Sequence, residues 1–190
     1  SEVGAAVLHS LLVRLPRLVA SLVANLPSIK LDTTTEGFLA DDDPAMITFD
    51  QAKKSYTAAL EIYRRNGHRR GEGQALMGFG KICRQQRKPD EAIGHLELAL
   101  EIFTQIGERQ LQGIVLGDLG NVSQQHGKIV EALEHYELAL EIHRETGAKR
   151  FEGRVLGNLG SAYLAQGRLD EAIEHYQTAL TINREIGNKR

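Results

Sequence analysis

A step of forty residues governs this 190-residue chain. Ala52, Ala92, Ala132 and Ala172 are spaced by it, as are Ala59, Ala99, Ala139 and Ala179. Tyr56, Leu96, Tyr136 and Tyr176 keep the same register. So do Ile62, Ile102, Ile142 and Ile182, and then Gly67, Gly107, Gly147 and Gly187. Five columns in phase, without an insertion, point to stacked units that each bury an apolar face only against their neighbours. The fold class this predicts is all-α, an α-solenoid of antiparallel helix pairs. Such arrays bind rather than catalyse, so the expectation is a non-enzyme.

The last unit shows the internal plan. Val155, Leu156, Leu159, Ala162 and Tyr163 form one helical stripe between Gly153 and Ala165. Gly167 breaks that helix, and Asp170 is the expected N-cap of the next. There Ala172, Ile173, Tyr176, Ala179, Leu180 and Asn183 fall on one side, and Gly187 is the expected left-handed C-cap. Each unit is therefore helix A, short turn, helix B, short turn. The same plan fits 73–107 and 113–147. Val130 stands where a capping Asp would be, which predicts a helix start weaker by about 1 kcal/mol. Arg87 replaces the turn glycine found at Gly127 and Gly167. The first unit shows only a helix B, at 49–66.

Upstream, residues 1–28 carry an amphipathic stripe that includes Leu8, Leu11, Leu15, Leu18, Val19, Leu22, Val23 and Leu26, interrupted by Pro16. This N-terminal helical element either covers the open end of the array or acts as a ligand-like or joining helix. Residues 29–47 form an acidic linker with Asp32, Glu36, Asp41, Asp42 and Asp43. Residues 48–190 form the array, one B helix plus three full units. The loop-like Gly187-Asn188-Lys189-Arg190 predicts that it belongs to a longer one.

A formal net charge of −2 argues against a nucleic-acid partner, which calls for a strongly basic face. No apolar run is long enough to span a bilayer, and only Arg14 and Arg17 would anchor the N-terminal stripe to a membrane surface, so no membrane partner is expected. One cysteine, Cys83, suits a reducing compartment, and cytoplasmic placement is the expectation. No phosphate loop, dinucleotide fingerprint or catalytic triad is present, and no cofactor is expected. His95, His135 and His175 form a column. At about 10 Å per unit they are too far apart for one metal, so they read as surface residues. Cys83 reads as packed.

Leu156-x2-Leu159-Gly160-x2-Tyr163 followed by Ala172-x3-Tyr176 resembles the tetratricopeptide repeat signature. Leu116, Leu119, Gly120, Ala132 and Tyr136 repeat it, as do Leu76, Phe79, Gly80, Ala92 and Leu96. The step of 40 exceeds the roughly 34 of that family, and its proline after helix B is absent. The longer form resembles the subgroup of Pins-type adaptors, kinesin light chains and bacterial regulators. That resemblance implies a right-handed superhelix whose concave wall, made mostly by A helices, holds a peptide or helix of a partner protein. Carried over residue by residue, its groove positions fall on Gln74, Met77, Lys81 and Arg84, then Gly117, Asn121 and Gln124, then Arg154, Gly157, Asn158 and Ser161. Gly78, Ile114, Asp118 and Leu164 belong to the same rows. Asn and Gln suit a peptide backbone, and Lys81, Arg84 and Arg154 suit carboxylates. Gly80, Gly120 and Gly160 fit close helix packing, whereas Gly117 and Gly157 read as widening the groove. Met77 and Gly117 stand where a chaperone-tail carboxylate clamp needs Lys, which excludes that clamp. The expected function is a protein-interaction scaffold. A regulatory segment of a larger signalling protein or enzyme, with the acidic linker occupying the groove, is the alternative. Self-association through the N-terminal helix or the C-terminal end is a third reading.

Overall fold

The computed structural model describes residues 49–187. The expected N-terminal helix and acidic linker lie outside the described residues. Among the described residues there are seven helices and no strand: α1 (Phe49–Arg65), α2 (Arg69–Gln85), α3 (Pro89–Gln105), α4 (Arg109–Gln125), α5 (Ile129–Glu145), α6 (Lys149–Ala165) and α7 (Leu169–Gly187). The A helices are α2, α4 and α6; the B helices are α3, α5 and α7. Within units α2 packs on α3, α4 on α5 and α6 on α7, and α3 packs on α4 and α5 on α6 between units. Successive A helices also touch, α2 with α4 and α4 with α6.

Every turn is three residues long, and one device makes all six. The last helical turn closes as a Schellman motif, in which the third residue past the helix donates its N–H to the third carbonyl from the end. His68 donates to the Tyr63 carbonyl at 2.8 Å, and Lys88, Glu108, Lys128, Ala148 and Arg168 repeat this to Cys83, Phe103, Ser123, His143 and Tyr163 at 2.9–3.0 Å. The closure needs a left-handed residue, supplied by Gly67, Gly107, Gly127, Gly147 and Gly167 with φ between 64° and 76°. In the remaining turn Arg87 adopts φ 56°.

The same device corrects three expectations. The donor that closes one helix is also the N-cap of the next, so residues 168 and 128 take that place rather than 170 and 130. Asp170 lies inside the first turn of α7, where its charge faces the positive helix end. Val130 lies inside α5, whose N-cap is Lys128 with no side-chain bond, so the expected capping penalty has no basis. Gly187 stays helical; closing a helix there needs the N–H of residue 188, outside the described residues.

The core runs continuously through the array. Leu96, Phe103, Tyr136, Leu156 and Leu159 are fully buried. Small residues on the A helices let large B-helix side chains in. A Cβ on Gly73 would stand 2.6 Å from the Phe103 ring, and Gly80, Gly120 and Gly160 are closed in the same way by Leu96, Tyr136 and Tyr176. Buried carboxylates tie unit to unit. Arg144 at 3.3 Å and Lys149 at 2.8 Å hold Glu152, and Arg64 and Arg69 hold Glu72. Burial pushes the Glu152 carboxyl up, but the hydrogen bonds from Lys149 and Arg144 outweigh it and leave the pKa lowered.

The predicted stripe on α7 is only half covered. Leu133, Tyr136 and Leu140 of α5 are buried because α6 lies over them, whereas Ile173, Tyr176 and Leu180 at the same positions of α7 are 39–52% exposed. No described helix follows α7.

Candidate functional site

The predicted groove residues lie on A helices one unit apart, so the same helical face recurs on α2, α4 and α6. Six polar contacts knit that face. Lys81 on α2 reaches the Asp118 carboxylate on α4 at 3.4 Å. Asn158 on α6 donates its amide to Asn121 Oδ1 on α4 at 3.0 Å. The Tyr136 hydroxyl stands 2.9 Å from Asn121 Oδ1 and 2.8 Å from Gln124 Oε1. A hydroxyl has one proton, so one of these amides must turn its NH2 toward the phenol oxygen for both bonds to form. Ser161 lies 2.9 Å from the Tyr176 hydroxyl and bonds back to the Gly157 carbonyl at 3.2 Å.

The structure thus brings Lys81, Asn121, Gln124, Asn158 and Ser161 into a polar strip crossing three helices. Sequence reading missed the tyrosine hydroxyls. Tyr136 and Tyr176 read as core positions, and Tyr136 is fully buried, yet its hydroxyl meets two A-helix amides. Burial pushes that hydroxyl's pKa far up; the Arg84 charge opposes this and the Asp118 charge adds to it. The phenol stays neutral and can serve only as a hydrogen-bond partner.

Other predicted residues stand differently. Met77 is 8% exposed and part of the apolar core, so its side chain is not free to meet a ligand. Column 77/117/157 runs where neighbouring A helices approach, and an apolar Met there is drawn into that contact. Gly117 is itself buried, and a Cβ on it would lie 3.8 Å from Val155 of α6, an ordinary contact. Gly78 is filled by the Tyr56 ring, which its Cβ would meet at 2.3 Å. Of these three groove glycines, only Gly157 has open space where a Cβ would be. Gln74 is exposed. Arg154 takes no part in the strip. Its guanidinium lies 5.0 Å from the centre of the Phe151 ring and borders an open depression of about 560 Å³ with Arg150 and Asn183. Arg84 is half-buried, its Nε has no hydrogen-bond partner, and it borders a second depression of about 310 Å³.

The histidine column is not a plain surface row. His95, His135 and His175 are half-buried. His95 stacks on Phe79 at 5.2 Å and His175 on Tyr163 at 5.1 Å, because the turn of helix that exposes one ring edge lays its face on helix A. Burial lowers the His95 pKa. Among the described residues no three His, Cys, Asp or Glu side chains gather as a metal site, and no helix is long and apolar enough to cross a membrane. Cys83 is buried at 1% exposure, and burial, with the neighbouring Glu91 charge, raises its thiol pKa.

The tetratricopeptide repeat family model matches residues 48–105 and 111–185. The chain belongs to the tetratricopeptide repeat family. Among solved structures it is similar to BtubC (BKLC) from P. vanneervenii, with a TM-score of 0.65 and 26% identity over 73% of this chain and 58% of that one. It is also similar to aspartyl phosphate phosphatase F from Bacillus subtilis, with a TM-score of 0.66 and 18% identity over 73% of this chain and 36% of that one. A putative kinesin light chain with TPR-like repeats from Podosopora anserina gives a TM-score of 0.55 and 16% identity over 72% and 69%. The matched part of this tetratricopeptide chain thus spans little more than half of the first of these proteins and about a third of the second. No curated protein matches it by sequence. The tetratricopeptide assignment confirms the expected family and the all-α solenoid, and it supports protein partners in general.

Proposed function

We propose that this chain is a protein-interaction scaffold that holds a peptide or helical segment of a partner on the joined face of α2, α4 and α6. The observation that carries this reading is the strip itself. Asn121, Gln124 and Asn158 are fixed by one another and by a buried tyrosine, so their remaining donors and acceptors are pre-oriented at little further entropic cost. Amides held in this way pair with a peptide backbone. Gly157, with open space over it, lets a ligand backbone come close. Arg154, free of any acidic partner among the described residues, offers a second contact to an acidic side chain. A pull-down from cell extract with the intact chain and with Asn121→Ala, Arg154→Ala and Asn158→Ala combined is the test. A partner held by the intact chain and lost from the triple variant supports the groove; retention of every partner refutes it. Cytoplasmic placement and a non-catalytic role go with this reading.

The apolar face of α7 favours a second reading, self-association. The equivalent face of α5 is covered by a helix, and the stripe at residues 7–26 supplies an expected amphipathic helix of this same chain, here assigned to a second copy. Sedimentation across a concentration series decides it. A dimer abolished by either Ile173→Asp or Leu18→Asp fits; a monomer throughout, or a dimer unaffected by either, does not.

A further inference from the structure

The turn between α2 and α3 departs from the other five. Five turns place glycine at the left-handed position, and this one places Arg87 at φ 56°, where a side chain crowds its own backbone. Strain of this kind persists when the residue serves something else. Two independent observations indicate what. Arg84, one turn earlier on α2, keeps its guanidinium without an acidic partner among the described residues, and its Nε is buried and unbonded. Asp118, the acid that acts on Tyr136 together with Arg84, stands 3.4 Å from the Lys81 ammonium, its Oδ2 without a hydrogen bond. Arg84 and Arg87 then share the rim of a depression of about 310 Å³ with Gln125 and His126, from the end of α4 and its C-cap. Two guanidinium forks, an amide and an imidazole border one space, with no carboxylate among the described residues that line it.

The geometry points to a binding site for a phosphoryl group, a tetrahedral oxyanion. A guanidinium presents paired N–H donors in a planar fork that matches two oxygens of a phosphate. Two forks and two further donors exceed what the two oxygens of one carboxylate use, whereas a phosphate monoester has three terminal oxygens. The strained backbone at 87 is the cost of carrying the second fork on a turn of fixed length. The site adjoins the peptide strip, since the Arg84 charge acts on Tyr136, but Arg87, Gln125 and His126 lie outside that strip.

The test uses the intact chain, titrated with inorganic phosphate at constant ionic strength while backbone amide and arginine guanidinium N–H NMR signals are followed. A phosphoserine peptide and its unphosphorylated form make the second arm. The site predicts saturable shifts centred on residues 84, 87, 125 and 126, reduced at least tenfold in affinity by Arg84→Gln or Arg87→Gly. Arg87→Gly also separates loss of the site from loss of the fold, because glycine relieves the left-handed strain and the melting temperature rises by about 2 °C. Tighter binding of the phosphopeptide than of phosphate assigns a phosphoryl group carried on a polypeptide; equal binding assigns the free ion. Shifts spread over many basic residues, shifts reproduced by chloride, or undiminished binding in Arg87→Gly overturn the proposal.

Discussion

The A-helix glycines permit a prediction of opposite signs at chemically identical substitutions. Gly157→Ala and Gly120→Ala both place a methyl group in the middle of a 17-residue A helix. In either case the helix gains about 0.5–1 kcal/mol from the lower backbone entropy of alanine. At Gly157 nothing lies within 4 Å of the new Cβ, so that gain stands alone. At Gly120 the Cβ would lie 2.5 Å from the Tyr136 ring, which is fully buried and cannot swing to solvent. Overpacking of this kind costs about 1–3 kcal/mol. Displacing the ring also strains the hydroxyl bonds to Asn121 and Gln124, at about 1 kcal/mol each. The net is a loss of about 2–4.5 kcal/mol for Gly120→Ala. Urea titration followed by circular dichroism reads both. With a slope of about 2 kcal/mol per molar urea, the midpoint rises by about 0.3–0.5 M for Gly157→Ala and falls by about 1–2.3 M for Gly120→Ala. A destabilised Gly157→Ala, or a neutral Gly120→Ala, would refute the assignment of 157 to open space and 120 to the helix contact.

Burial and then the Arg154 charge lower the pKa of His143, whose side chain is completely buried, and outweigh the opposing Gly113 backbone and Glu152 charge. The unfolded chain therefore binds a proton near pH 6.5 that the folded chain refuses, so stability is full above that pH and falls as pH drops below it, by at most about 1.4 kcal/mol per unit, levelling off below the folded pKa. His143→Phe, which copies Phe103 one unit earlier, should remove part of this dependence between pH 7.5 and 5.5, leaving the share of His95, whose pKa is also lowered by burial. Tyr136→Phe should lower stability by about 1 kcal/mol in the same urea assay and loosen the amides of Asn121 and Gln124, seen as broadened side-chain signals. The Cys83 thiol, buried and with its pKa raised, should resist a disulfide-exchange reagent in the native chain and react at once in denaturant; rapid native labelling would contradict its placement.

Period and phase made the array legible before any coordinates. Alternation of A and B helices, the tight contacts at Gly80, Gly120 and Gly160, and the family all followed from columns forty apart. Helix starts did not. Capping rules were applied to Asp170 and Val130, but turns of three residues make one residue serve as both the end of a cap and the start of a helix. Side-chain chemistry at the N-cap thereby loses its usual role. Exposure follows neighbours rather than residue type: the stripe of α7 resembles that of α5 in sequence, yet no described helix lies over it. On the groove face, the period gave the correct helices but could not weigh A-to-A contact against open surface. Met77, Gly117 and Gly157 share one column, and the structure gives them three different surroundings.

That divergence within a column carries most of the functional information. Stacked units reproduce nearly the same backbone at every fortieth residue, so a change of residue type at one position acts on almost unchanged geometry. Phe103, His143 and Asn183 show this: each stands over an A-helix glycine, Gly73, Gly113 and Gly153, at 2.6 to 3.0 Å from the site of its missing Cβ. The first two are rings that fill the gap. The third is a shorter amide, and it borders the open depression with Arg150 and Arg154. Asn183→His should therefore place a ring over Gly153, as His143 lies over Gly113, where Asn183 now meets the depression. If the depression receives an acidic group of the partner, that substitution weakens capture several-fold while leaving stability within about 0.5 kcal/mol of the parent, as expected of an exposed side chain. Capture unchanged in Asn183→His but lost in Arg154→Ala would confine the contact to the arginine alone.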